Sequence, residues 1–139
     1  MTAAELAALH GRCFTVPRPF NVSEFEDFLS NELCFLIEIP HGFALGRAVA
    51  DEAELLTLAV DPDHRRLGGG TMLVQGFEDE ARRRQTRRAF LEVAADNQAA
   101  RALYRNAGYR DCGCRKAYYR AAGCRTADAI VMEKALSPT

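Results

Sequence analysis

Seven consecutive residues, Arg65-Arg66-Leu67-Gly68-Gly69-Gly70-Thr71, carry the clearest chemical signal in the chain. They lie between the end of an apolar run and the start of an amphipathic one. Unpaired backbone N–H groups and the positive end of a helix therefore meet there, a setting that suits a phosphate or pyrophosphate. Three glycines let the backbone approach such a group closely, although an ordinary flexible turn uses the same residues. Two common phosphate motifs do not fit. A nucleoside-triphosphate loop needs lysine and then serine or threonine after its last glycine, and here Thr71 follows Gly70 directly. A dinucleotide-binding turn needs a glycine at position 73, which is Leu73.

Further candidates are Glu92, Asn97 and Tyr104. Glu92 stands between Leu91 and Val93, where partial burial makes a carboxylate a workable base. The same alternation allows it to share a solvent face with Phe90. Tyr104 falls where a helix follows that strand, and its phenol can either donate a proton across the sheet or pack beside Leu103. Asn97 suits the cap of the same helix. Nucleophilic catalysis by cysteine has little support, because the histidines His10, His41 and His64 are remote in sequence from Cys112, Cys114 and Cys124. Five cysteines without paired spacing give no metal-site pattern, and reduced thiols are expected.

The elements that must position these groups follow from periodicity. Residues 2 to 12 read as a helix with Leu6 and Leu9 on one face, and Ser23 opens a second with Phe25, Phe28 and Leu29. Cys34 to Ile39 and Phe43 to Ala50 form a hairpin around Pro40-His41-Gly42, and Ala53 to Val60 is a third strand, stopped at Asp61-Pro62. A helix from Gly70 to Gln85 buries Leu73, Val74, Phe77 and Ala81. A strand at Ala89 to Ala94, a helix at Asn97 to Ala107 closed by Gly108, and strands near 109–119 and 128–135 complete the order. Between the two helices, Pro17 and Pro19 enforce irregular chain.

Composition narrows the function classes. The 139 residues predict a single domain spanning 1–139, and 48% hydrophobic content is enough for a core. A net charge of -1 gives no electrostatic reason for a nucleic-acid or membrane partner. No apolar stretch approaches the length of about 20 residues that a spanning helix needs. The first residues lack a basic leader, so a cytoplasmic protein is expected. Arg82, Arg83, Arg84, Arg87 and Arg88 are read as solvated charge favoured at a helix C-terminus.

The segment Arg65 to Gly70 fits the pattern R/Q-x-x-G-x-G/A, directly after the strand Leu55 to Val60. With it, the blocks Glu54 to Pro62, Leu91 to Asn97, Ala100 to Tyr109, Arg115 to Tyr119 and Asp128 to Met132 resemble, in order, the GNAT superfamily of N-acetyltransferases. Within it they are similar to the RimI branch, the ribosomal-protein-alanine N-acetyltransferases. The resemblance implies an α+β, three-layer fold whose mixed central sheet is splayed at the acetyl-CoA site, with helices on both faces. Met1 leads almost directly into a helix, so either the family's usual first strand is absent or the start is truncated, and Gly69 stands where a larger apolar residue is common. Acetyl-CoA is the implied cosubstrate. Its pantetheine arm would lie along Leu58, Ala59 and Val60. Its pyrophosphate would rest on the loop from Arg65 and Arg66 through Leu67, Gly68, Gly69 and Gly70 to Thr71, with Asn97 and Tyr104 as further contacts. The same resemblance makes Glu92 the general base and Tyr104 the general acid, and sets Tyr118 and Tyr119 beside the acceptor.

Acyl transfer to an amine requires a neutral amine, a stabilised oxyanion and a proton for the departing thiolate. An α-amine, with a reference pKa of about 8, asks less of a carboxylate base than lysine at about 10.4. A protein or peptide N-terminus, a ribosomal protein among the candidates, is therefore the expected acceptor. Acetylation of a small amine on the same fold, and a non-catalytic acetyl-CoA-binding module, are the alternatives. The module would have no use for both Glu92 and Tyr104.

Overall fold

The computed structural model describes residues 1–14, 18–120 and 126–137, with side chains for all of these except 116–120 and 126–127. Local capping decides where the first helices begin. Thr2 accepts from the Glu5 amide while the Glu5 carboxylate accepts from the Thr2 amide, so α1 runs Ala3–Cys13. Asn21 and Glu24 make the same reciprocal pair, and α2 runs Val22–Ser30, one residue ahead of the start expected at Ser23. No strand precedes α1 among the described residues.

Six strands follow the expected order: β1 Cys34–Ile39, β2 Gly42–Val49, β3 Glu52–Val60, β4 Arg88–Ala94, β5 Arg110–Arg120 and β6 Thr126–Ala135. Helix α3 (Gly69–Arg83) links β3 to β4, and α4 (Gln98–Asn106) links β4 to β5. The sheet order is β1-β2-β3-β4-β6-β5. All neighbouring pairs are antiparallel except β3 and β4, whose parallel pairing covers only Glu52–Arg88, Ala53–Ala89 and Glu54–Phe90. Beyond Glu54 the two strands part. The register of β2 on β3 explains the divergence: Thr57 faces Leu45 but Leu55 faces Gly46, which leaves Leu56 as the extra residue of a bulge. A bulge bends its strand and increases its twist, here turning β3 away from β4.

Two apolar clusters clamp the sheet. On one face Leu73, Val74, Phe77 and Ala81 of α3 and Tyr104 of α4 pack on Phe35, Ala44, Leu55, Leu91 and Met132. Helix α3 rides close to the sheet because a Cβ at Gly46 would stand 2.6 Å from the Phe35 ring and 2.8 Å from the Phe77 ring, and one at Gly76 would meet Ile37 at 2.7 Å. On the other face Leu6, Leu9 and Phe25 of α1 and α2 pack on Phe43, Leu45 and Ala59. Fully burying each such aliphatic or aromatic side chain contributes about 1.5–3 kcal/mol.

Beside each cluster a charged or imidazole side chain is buried. Glu78, 2% exposed, accepts at 2.8 Å from Lys134, which also donates to the Ala107 carbonyl, while Glu78 Oε2 has no hydrogen-bond partner among the described residues. His10, also 2% exposed, lies among Phe14, Phe20, Phe25 and Phe43. Burial lowers its pKa from 6.5 to about 4, so the ring is neutral near pH 7.

Two stability outcomes follow. Lys134→Met should destabilise by up to about 3 kcal/mol because it removes the cation hydrogen-bonded to a buried carboxylate and leaves it only Arg82 at 3.6 Å, and the double variant with Glu78→Leu should recover most of that loss in chemical denaturation. For His10, the unfolded chain binds a proton at higher pH than the folded one. Stability from the neutral ring is thus complete above about pH 6.5 and declines as pH falls toward 4, by about 3 kcal/mol in total. Denaturation curves of wild type and His10→Leu at pH 7 and pH 4.5 should show the larger drop in wild type. Equal drops would contradict the assignment.

Candidate active site

Where β3 and β4 diverge they enclose a cleft of about 730 Å³, floored by Leu55 to Val60 and bordered by Glu92, Val93 and Ala94. The backbone of β3 is paired with β2 on one side only over this stretch, so its other edge presents N–H and C=O groups to the cleft. Leu58, Ala59 and Val60 lie on that edge.

At the end of β3 the chain passes through a 3-10 turn, Pro62–His64, into the glycine loop. Gly68 caps α3 with φ 82° and Arg66 has φ 68°, so this loop contains two left-handed residues and turns successive amides toward the helix start. Arg65, Arg66, Gly68, Gly69, Gly70 and Thr71 all line the cleft. Leu67 does not, and it is 76% exposed. A side chain at Gly69 would meet Ile39 at 3.0 Å, so Ile39 fills the space that a larger residue at 69 would take.

The loop is tied down from outside. Asp61 accepts from both terminal nitrogens of Arg12, at 2.9 and 3.1 Å, and its carboxyl is held below the usual range chiefly by the Asp63 amide and also by Arg12. The Asp61 amide donates to His41 O at 2.7 Å, and the His41 and His64 rings stack at 3.5 Å. His41, Asp61 and His64 place their donor atoms within 4.8 Å of one another, a grouping the sequence did not suggest. Arg12 already takes both Asp61 oxygens. The grouping fits an anchor for the loop.

Glu92 and Tyr104 reach the same cleft from different elements. Glu92 is on the α1/α2 face of β4, opposite Leu91 and Val93, and is 22% exposed. Its carboxylate accepts from Arg115 of β5 at 2.7 Å, a partner 23 residues away that sequence spacing does not reveal. Tyr104 on α4 is 7% exposed and meets the Tyr109 ring edge-on at 6.1 Å. Burial, and then the Glu78 carboxylate, push the Tyr109 phenol up, keeping it protonated behind Tyr104. Asn97 lines the cleft while its side chain accepts from the Ala100 amide at 3.2 Å, so its cap role and its cleft position coexist.

Sequence reasoning missed the wall contributed by α1. Cys13 and the following Phe14 line the cleft, and Cys13 donates to the Val60 carbonyl at 3.3 Å; burial raises its thiol pKa. Thr57 and Leu103 also line it. The side chains of Tyr118 and Tyr119, expected beside the acceptor, lie outside the described side chains, and Cys124 lies outside the described residues. The other four cysteines are unbridged. The arginine-rich end of α3 is spent on neighbours: Arg82 reaches Glu78 and Asp79, Arg83 and Arg84 reach Glu80, and Arg88 reaches Glu133 and Glu52. No helix among the described residues is long and apolar enough to cross a membrane.

The sequence and the fold resemble those of known proteins. The chain is 41% identical over 95 residues to the [ribosomal protein bS18]-alanine N-acetyltransferase of Escherichia coli K12, covering 68% of this chain and 64% of that protein. It is 41% identical over 90 residues to the N-alpha-acetyltransferase RimI of Mycobacterium tuberculosis, covering 65% and 53%. The chain thus spans less than two thirds of the length of these curated relatives. The crystal structure of the Escherichia coli ribosomal-protein-S18-alanine N-acetyltransferase superimposes with a TM-score of 0.83 at 30% identity, over 96% of this chain and 86% of that one. The model of the acetyltransferase (GNAT) family matches residues 4–109, and with the splayed six-stranded sheet and its glycine loop, the chain belongs to that family.

Proposed function

We propose that this chain transfers an acetyl group from acetyl-CoA to the α-amine of a protein N-terminus, with an N-terminal alanine of a ribosomal protein as the best-matched acceptor and the cytoplasm as its place of action. The observation that carries the reading is the cleft itself. A one-sided β3 edge leads into a loop of helix-start amides, and a carboxylate and a phenol stand on its walls. The residues fit acetyl-CoA: the free edge at Leu58 to Val60 can pair with the amide groups of the pantetheine arm, and the Arg66 to Thr71 amides suit its pyrophosphate. Asn97 and Tyr104 border the same space.

In this reading Glu92 accepts a proton from the incoming ammonium, directly or through water. As the new N–C bond forms and the C–S bond breaks, Tyr104 gives a proton to the departing sulfur, and the second proton released by the nitrogen returns to the Tyr104 phenolate through water, so the acetylated amine and a thiol leave the site and only the proton on Glu92 remains to pass to solvent. Arg115 keeps Glu92 in place at 2.7 Å until an ammonium competes for it. The names of the Escherichia coli and Mycobacterium tuberculosis relatives support an α-amine acceptor. So does the lower proton cost of such an amine: roughly a quarter of a group with a pKa near 8 is neutral at pH 7.5, against almost none of a lysine near 10.4.

Glu92→Gln and Tyr104→Phe should each keep the melting-temperature increase given by acetyl-CoA and lose about 10²-fold or more in kcat. Wild-type rates in Glu92→Gln across pH 6 to 9 would remove it from the chemistry. The acceptor is tested with one peptide in two forms, a free N-terminal alanine without lysine and an N-blocked version with one internal lysine. The first should react well and the second poorly. Faster turnover of the lysine form, or of spermidine, would overturn the assignment.

A further inference from the structure

We propose that Thr57 is an acceptor-positioning residue whose hydroxyl, set as a donor by His10, hydrogen-bonds the first peptide carbonyl of the incoming N-terminus; this rests on the reading that the acceptor is a peptide. The direction of the hydrogen bonds follows from the ring of His10. Its Nδ1 accepts from the Phe20 amide at 2.9 Å, so in the neutral ring the single N–H is on Nε2, which lies 2.8 Å from Thr57 Oγ1. Thr57 therefore accepts from His10, and its own hydroxyl hydrogen has no acceptor among the described residues. The ring is neutral at any pH where an amine can react, since burial holds its pKa at about 4. The polarity of Thr57 is consequently constant under working conditions.

The position is the second half of the argument. Thr57 directly precedes Leu58 to Val60, the edge assigned to the pantetheine arm, and lines the same cleft. Its hydroxyl is on the α1/α2 face of the sheet, because it meets His10 of α1, and Glu92 projects from β4 toward that same face. An amine at Glu92 therefore places the atoms behind it against the wall made by Cys13, Phe14 and Thr57. On this wall Cys13 donates to the Val60 carbonyl and Phe14 is apolar, which leaves Thr57 as its hydrogen-bond donor. A peptide N-terminus carries a carbonyl two bonds from its amine nitrogen, and a simple polyamine carries none. A donor here discriminates in favour of peptides. Phe20 stacks on the His10 ring at 4.9 Å and Phe14 lies tilted against it at 4.5 Å, so the same histidine also fixes the end of α1 that forms the wall.

The test uses the alanine peptide and its analogue with the first carbonyl replaced by thiocarbonyl, a weaker acceptor of the same shape. Thr57→Val should raise KM for the oxo peptide about fivefold to tenfold, the size of one neutral hydrogen bond, with kcat and the acetyl-CoA melting shift little changed. Thr57→Ser should restore wild-type KM. In wild type the thio peptide should lose a similar factor, and in Thr57→Val the two peptides should have equal KM. An unchanged KM in Thr57→Val, or an equal rise for both peptides relative to wild type, would overturn the proposal. Failure of wild type to acetylate the oxo peptide would instead overturn the functional reading beneath it.

Discussion

Three parallel residue pairs hold the two halves of this molecule together at the centre of the sheet, and everything chemical depends on their being only three. Had β3 and β4 stayed paired beyond Glu54, the backbone from Leu55 to Val60 would be satisfied and buried, and no ligand could add to it. The Leu56 bulge ends that pairing and leaves a row of strand polar groups that must find partners in solvent or in a bound chain. An extended molecule with alternating amide groups is what such an edge can take.

An open seam in a sheet is a weakness, and the clusters on the two faces compensate for it. Helix α3 crosses β1, β2 and β3 with fully buried Leu73 and Phe77, while α1 and α2 seal the opposite face around His10 and Phe25. Each side also carries a polar group deep in the core that a long-range partner matches: Glu78 by Lys134, and His10 by Thr57 and the Phe20 amide. Such groups cost desolvation and return it only in one geometry, which confines α3 to β6 and α1 to β3.

Most of the element order was legible because its causes are local. The cap at Asn97, the stop at Asp61-Pro62 and the apolar periodicity of 70–85 act within a few residues, and the expected boundaries match to within one or two positions. The glycine loop was legible for the same reason, and Glu92 and Tyr104 came from resemblance to a family rather than from pattern, since an alternating strand and a helical tyrosine have simpler explanations. What stayed hidden is long-range. Nothing around Leu56 marks a bulge, because no glycine or proline is required there. The pairs His10 with Thr57, Glu92 with Arg115 and Glu78 with Lys134 join residues 47, 23 and 56 positions apart, and only the assembled sheet brings them together.

The two glycines that let α3 lie close to the sheet also have a mechanical consequence. Gly76 sits near the middle of a rod of fifteen residues, and Gly46 lies beneath the adjacent Phe77. Each sets how closely the helix approaches the sheet, Gly46 against Phe35 and Phe77 and Gly76 against Ile37, about two turns from the first amides of α3. Bulk added at either glycine would tilt the rod and lift those amides from the cleft, although neither residue lines it. The pitch of the helix is therefore a tuning element for the depth of the binding slot, separable from the residues that touch what it holds.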